Sequence, residues 1–523
     1  MSIAEDYDLE IEINRVANNE SLSTSAFLKY FCGMNSLESK VVTATKWSAL
    51  TEIASKLISP IAGMILARLL TPEAYGTVAT TTIIISFAEM LTDAGFQRYL
   101  IQHDFDNDED KYKCADTAFW LNLTLGVVAW LVIVLFRHPI AQLVGSPELG
   151  NAIAIACSII PITAFSSIQA GFYKRDLNFK PLFKARMIVI AIPFCITIPL
   201  ALWLRNYWAL IAGSIAHKIV YAFVLTINSK WKPSLRFSFL KTKEMTSFWL
   251  WTSAGRIITY MTNYIDLFLI SNKFDQHLLG IYRTSMQTST HIIALISSIV
   301  VPVLLPTYSK TQNDFKKLRN IILNVQKHLG ILLLPIGLGI FLYSDLITNI
   351  LLGGQWHEAA PIIGIWGLMH AFTLLLSRNY TNAFIAIGKP KIPVIVQAIY
   401  AAILIPAIIL SADISFNCVY ITRSFMRIWH IALNMLFIFI TIRLSIFKTL
   451  RNLIPEFIGC LVFFIISTLL SLISESPYWQ LISIIICAIT YFSIIFLFKK
   501  EKIIIYQAIK HIKNLLKPLS VSK

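Results

Sequence analysis

Residues 50–98 read LTEIASKLISPIAGMILARLLTPEAYGTVATTTIIISFAEMLTDAGFQR, two apolar runs joined by a turn at Thr71, Pro72 and Glu73. Each run has the roughly 20 mostly apolar residues that cross a bilayer as a helix, the first within 45–69 and the second within 75–97. Four ionisable side chains nevertheless sit inside them: Glu52, Lys56, Glu89 and Asp93. A charge at the bilayer centre costs at least about 2.5 kcal/mol, so such residues normally face a polar interior or a partner. The pattern predicts helices that enclose a polar path.

Apolar runs of this length recur about fourteen times along the chain. The 523 residues are 56% hydrophobic and 14% charged, with a mean hydropathy of +0.66. That balance excludes a soluble multidomain protein. The expected fold is an all-α polytopic membrane protein of about 14 transmembrane helices, with two six-helix lobes around a central cavity and two helices added at the C-terminus. The boundaries are 1–44 for a cytoplasmic extension, 45–228 for spans 1–6, 245–444 for spans 7–12, 455–498 for spans 13–14, and 499–523 for a basic amphipathic tail on the inner leaflet.

Lysine and arginine test the count. They crowd into the loops after even-numbered spans, whereas the loops after odd-numbered spans hold only Arg68, Arg137, Arg205 and Lys273. Basic loops mark the cytoplasmic side, which puts both termini there. The net charge of +16 then faces anionic lipid. No groove-reading motif accompanies it, so nucleic acid is not an expected partner. Seven scattered cysteines predict neither disulfides nor zinc, and no cofactor or phosphate-binding loop is expected. The acidic run His103–Asp116 reads as a solvated loop or, through its DxD-like spacing, as a metal or nucleotide-sugar site.

A shift of 204 residues lays Trp47 on Trp251, Glu52 on Arg256 and Gly76 on Gly280, which suggests that the two six-span units are repeats. Within them, polar residues step by three and four and therefore share a helix face. Span 1 shows Glu52, Lys56, Ser59 and Gly63; span 2 shows Thr82, Ser86, Glu89, Asp93 and Gln97. Span 7 (248–271) shows Thr252, Arg256, Thr259, Asn263 and Asp266, and span 8 (278–305) shows Arg283, Gln287, Thr290, Ala294 and Ser297. These stripes predict a shared hydrated cavity or, alternatively, polar packing between helices. By topology Glu52, Lys56, Glu89, Asp93 and Arg256 occupy its cytoplasmic half, and Asp266 and Arg283 lie nearer the outside.

An anionic head group suits the bases Lys56, Arg256 and Arg283, with Glu52, Asn263 and Gln287 as further substrate contacts. Glu89, Asp93 and Asp266 are the carboxylates for coupling to an ion. Arg423 and Arg427 of span 12 read equally as structural pairs or substrate contacts, and His217 and Lys218 of span 6 read as pairing or snorkelling groups.

Three stretches carry a family resemblance: RLLTPEAYGTVA at 68–79, AGFYKRDLNFKPLFK at 170–184 and LGGQWHEAAPII at 352–363. Each resembles signatures of the Wzx-like lipid-linked oligosaccharide flippases, the teichuronic and colanic acid exporter kind, related to multidrug MATE exporters and the lipid II flippase. The resemblance implies flipping of undecaprenyl-diphosphate-linked repeat units for surface polysaccharide synthesis at a bacterial cytoplasmic membrane, and the expected reading adds coupling to an H+ or Na+ gradient or to membrane potential, with polysaccharide-assembly proteins as partners. It implies substrate contacts at Lys56 and Arg256. The chain departs from the pattern in its acidic N-terminal extension and in a lysine, which cannot grip a diphosphate bidentately, at position 56. The alternatives are a MATE-like small-molecule exporter and an integral-membrane glycosyltransferase or polymerase. The enzyme reading is disfavoured by outward loops too short for acceptor and donor sites.

Overall fold

The computed structural model describes residues 36–506 apart from 93, 94, 106, 230 and 313, and the described residues are helix and loop without strand. Residues 1–35 of the N-terminal extension and the tail beyond 506 lie outside the described residues. Helices occupy all fourteen expected stretches. Spans 1–6 are Ser36–Leu69, Pro72–Thr92, Asp108–Leu135, Pro147–Arg175, Phe179–Leu204 and Trp208–Asn228. Spans 7–12 are Phe239–Lys273, Gln276–Ser309, Phe315–Leu342, Gly354–Ala386, Lys391–Ile414 and Phe416–Ile442. Spans 13 and 14 are Ile454–Ser471 and Pro477–Leu497. Twelve of these are long and apolar enough to cross a membrane among the described residues; spans 7 and 8, which carry Arg256, Asp266 and Arg283, fall outside that count.

Local chemistry sets several boundaries. Asp314, Ser415 and Ser476 accept hydrogen bonds from backbone N–H groups in the first turns of spans 9, 12 and 14, satisfying donors that a helix start leaves open. Pro477 sits at the first position of span 14, where its missing N–H costs nothing. Spans 5 and 10 each contain a short wide turn, at Pro193–Thr197 and Thr373–Arg378.

Within the first lobe, span 3 packs on span 4, span 4 on span 6 and span 1 on span 5; within the second, span 9 packs on span 10 and span 11 on spans 7 and 12. Span 13 lies against span 9, and span 14 against span 13. The lobes meet where spans 1 and 2 contact spans 7 and 8, and the largest buried core, mainly C-lobe, takes in Ala67, Ala79 and Ile83 from across this seam.

Spans 2 and 8 cross backbone to backbone at the face away from the basic loops. A Cβ on Gly76 would lie 1.8 Å from the Gln276 carbonyl oxygen, and one on Gly280 would lie 1.8 Å from that of Pro72. The 204-residue shift carries Gly76 onto Gly280 and Pro72 onto Gln276 and so exchanges the two contacts, which is the reciprocity that a two-fold axis through the crossing produces. Further bonds seal this face between the lobes. Arg68 donates to the Ile350 carbonyl at 2.7 Å, and the Trp356 indole to that of Ala67 at 2.7 Å. Asn272 donates to Leu143 at 2.9 Å, and Gln276 donates to Ser146 at 2.6 Å while accepting from Thr80 at 3.1 Å.

At the basic face, the acidic run is structural. Asn107 caps span 3, Asp110 pairs with Lys241 at 3.2 Å, and buried Asp116 accepts from the Trp231 indole, the Ser234 amide and the Ser234 hydroxyl. Trp120 donates to the Ser234 carbonyl, and Thr117 accepts from the Ser238 amide. The connection between the lobes is thus tied to the first lobe, and Met245 at the start of span 7 is buried in the same cluster as Phe119 and Trp231. No group of metal-ligating side chains is found among the described residues.

The tail after span 14 begins as a helix, but an acid pins it to the protein. Glu501, 2% exposed, pairs with Lys327 of span 9 at 2.5 Å. Glu456 of span 13 is buried nearby, so the amphipathic reading of the tail omitted the residue that docks it.

Candidate functional site

Glu89 of span 2 is the centre of a polar network in the first lobe. It accepts from Lys218 of span 6 at 3.2 Å and from the Thr163 hydroxyl of span 4 at 3.1 Å. The pair is partly open, with side chains 29% and 36% exposed for Glu89 and Lys218. Thr82, Ser86, Glu89, Ser214, His217 and Lys218 line a cavity of about 270 Å³. Lys218 therefore pairs, in keeping with its sequence. Asp93 lies outside the described residues.

A second cavity, about 400 Å³, opens along the seam of spans 1 and 8 and is lined by Ser59, Gly63, Thr284, Gln287, Thr288 and His291. Lys56 stands one turn from Ser59, with the Glu52 carboxylate 3.9 Å away. Lys56 and Arg283 both lie within electrostatic reach of His291. Arg186 of span 5 adds another cation, donating to Ser55 on span 1 at 3.4 Å. Arg256 is half-buried on span 7, and Asn263 and Gln287 are exposed.

Two of these residues escaped the sequence reading. His291 had a signal, because it lies four residues after Gln287 on the striped face. Arg186 had none, since it falls where span 5 and its basic loop meet. Three of the four stripes reach these spaces: Thr82, Ser86 and Glu89 of span 2 line the first, and Ser59 and Gly63 of span 1 with Gln287 of span 8 line the second. Between spans 2, 3 and 7 lies a separate apolar groove of about 610 Å³.

The position of Asp266 corrects the grouping of that residue with Arg283 in an open outer half. It is fully buried, accepting from Arg423 Nε at 2.8 Å, from the Tyr282 hydroxyl at 2.7 Å and from the Leu267 amide at 2.9 Å. Arg423 also donates to the Thr262 carbonyl at 2.7 Å and to the Tyr400 hydroxyl at 3.0 Å. The physical reason is helical drift: ten residues at about 100° each turn Asp266 about 80° away from Arg256. Beside the pair, Arg427 lies 3.8 Å over the Trp366 ring and 3.1 Å from His370. The open question at span 12 thus divides, with Arg423 in a structural pair and Arg427 stacked and half-buried.

The whole arrangement is that of known membrane transporters. The structure of the lipid II flippase MurJ in an inward closed conformation superposes with a TM-score of 0.71 at 16% identity, covering 88% of this chain and 100% of that one. An inward-facing multidrug resistance MATE transporter of the MOP superfamily follows at a TM-score of 0.58 and 11% identity, covering 76% and 98%. At these identities the likeness shows the fold. In sequence the chain is 24% identical to the succinoglycan biosynthesis transport protein ExoT of Rhizobium meliloti (strain 1021), over 62% of this chain and 64% of that protein. It is 21% identical to the lipopolysaccharide biosynthesis protein WzxC of Escherichia coli (strain K12), over 75% and 79%. It is 22% identical to the teichuronic acid biosynthesis protein TuaB of Bacillus subtilis (strain 168), over 66% and 71%. A family model described as "Polysaccharide biosynthesis protein" matches residues 65–361, more than half of the sequence, and the chain is a multi-pass membrane protein that belongs to that family.

Proposed function

We propose that this protein flips undecaprenyl-diphosphate-linked oligosaccharide repeat units from the inner to the outer leaflet of a bacterial cytoplasmic membrane by alternating access. The observation that carries the reading is the cavity at the seam of spans 1 and 8, lined by Gln287 and by His291, which Lys56 and Arg283 reach electrostatically, in a fold sealed at the face opposite the basic loops. With the basic loops cytoplasmic, that cavity lies between two lobes closed to the outside. Lys56, Arg283 and Arg256 attract the diphosphate, and Glu52, Asn263 and Gln287 offer hydrogen bonds to sugar hydroxyls. Lysine supplies charge without a fixed fork, so the diphosphate is held by the sum of several cations.

Glu89, with Asp93 four residues on in the sequence, is the carboxylate set through which an H+ or Na+ gradient acts, because Glu89 is paired with a partly exposed ammonium, that of Lys218. Asp266 leaves this set: its oxygens are occupied by Arg423 and Tyr282. Anionic lipids at the basic loops and polysaccharide-assembly proteins are the expected partners, and no chemistry on the sugar is assigned to the chain.

The test is flipping of a fluorescent undecaprenyl-diphosphate-linked oligosaccharide in vesicles, read with a membrane-impermeant quencher. The expected result is that Lys56→Met combined with Arg283→Met lowers flipping about ten-fold or more, about 1.4 kcal/mol, while the protein still inserts. Unchanged flipping in that variant would overturn the reading.

A further inference from the structure

The sealed face carries a charged cluster that spans the seam and that neither cavity uses. His277, at the start of span 8, places Nδ1 2.6 Å from Glu73 Oε1 on span 2 and Nε2 3.3 Å from Glu358 Oε2 on span 10. Glu73 and His277 are themselves separated by 204 residues, so they occupy equivalent positions of the two repeats, directly beside the crossing of Gly76 and Gly280. The repeat has placed a carboxylate at one copy of the position and an imidazole at the other, so the two-fold crossing brings opposite charges together. Glu73 and Glu358 are the charges that bear on His277, and His357, 75% exposed, lies 3.9 Å from Glu358.

We propose that His277, gripped by Glu73 and Glu358, is a proton-operated latch that holds the two lobes together on the face opposite the basic loops. This rests on the alternating-access reading above for its role, though not for its chemistry. Both ring nitrogens face carboxylate oxygens, and only the protonated imidazole can donate from both. Opening of this face separates Glu73 from His277, because spans 2 and 8 belong to different lobes. A proton taken from the outer side therefore favours the closed arrangement, and its loss frees the lobes to part.

The electrostatics give the sign. Burial alone would push the histidine down, yet the Glu73 and Glu358 carboxylates raise it above its ordinary value. The latch contribution is then complete below the ordinary histidine value of about 6.5 and is lost as pH rises through the raised one. The groups are roughly one-third to one-half exposed, so solvent screening keeps the effect modest.

The glycine crossing makes such a small term useful. Backbones in direct contact leave no side chains to interdigitate, so spans 2 and 8 can meet and separate there without repacking.

The experiment is a distance measurement between nitroxides at Glu148→Cys and Ile414→Cys, exposed positions at the sealed end of each lobe, in full-length protein whose native cysteines are replaced. The expected result is a closed-to-open ratio about three- to five-fold higher at about pH 5.5 than at about pH 8.5. His277→Gln, and Glu73→Gln combined with Glu358→Gln, should each abolish that dependence, whereas His357→Gln should retain it. Distances that do not change with pH in the parent protein overturn the latch, as does full pH dependence in His277→Gln. Because these distances are read on purified protein without substrate, the latch stands or falls separately from the flipping assay.

Discussion

Glu89 in the first lobe and Asp266 in the second each meet a basic side chain on the last helix of their own six-helix unit, Lys218 at 3.2 Å and Arg423 at 2.8 Å. Their surroundings differ. The Asp266 pair is 0% and 9% exposed and braced by Tyr282, Tyr400 and the Thr262 carbonyl, whereas the Glu89 pair is about one-third exposed and borders a cavity. A guanidinium held by several partners cannot leave its carboxylate without stranding a buried charge. A half-hydrated ammonium can. Two similar charge pairs therefore serve as a fixed clamp in one lobe and as an exchangeable contact in the other.

That comparison can be broken from its strong side first. Asp266→Ala leaves Arg423 buried and unpaired, and the expected loss is about 3 to 5 kcal/mol, read as a lower melting temperature in detergent and poor membrane yield. Asp266→Leu combined with Arg423→Met should recover most of that loss; a double variant as unstable as the single one would show that the site stabilises through something other than the pair. Next in size is Gly280→Val, whose side chain meets the Pro72 backbone. The lobes should fail to close on that face, with flipping lowered by roughly ten-fold and the spin-label distance shifted to its long form. Glu89→Gln sharpens the weak side. It should cost under about 1 kcal/mol of stability, yet abolish any dependence of flipping on an imposed ion gradient. The smallest effect is expected for Lys218→Arg, which keeps the charge and should leave stability unchanged.

Much of this fold was legible because membrane constraints write themselves into composition. Fourteen apolar runs and the alternation of basic loops located the helices, and the stripe of Thr82, Ser86 and Glu89 on span 2 faces a cavity. Burial was not legible. Asp266 continues the stripe of Arg256 at helical spacing, and only the drift of that stripe, together with the position of Arg423 some 150 residues away, turns it into the core. The acidic run at 103–116 shows the same limit. Its spacing allowed a ligand site, but Asp116 serves Trp231 and Ser234, partners more than a hundred residues distant. The docking acid Glu501 was overlooked because a run of lysines and isoleucines around it describes a membrane-surface helix equally well.

The tied connection between the lobes has a mechanical consequence. Residues 231–238 and Met245 are held by the first lobe, whereas Thr262 and Asp266 on the same helix are held by spans 11 and 12, through Gln397 and Arg423. The change of allegiance falls inside one continuous helix, over a stretch of span 7 that contains its single glycine, Gly255. Any rocking of the lobes must flex this rod instead of swinging a slack tether. A flexed helix resists in proportion to its curvature, so span 7 stores elastic energy in whichever arrangement of the lobes bends it.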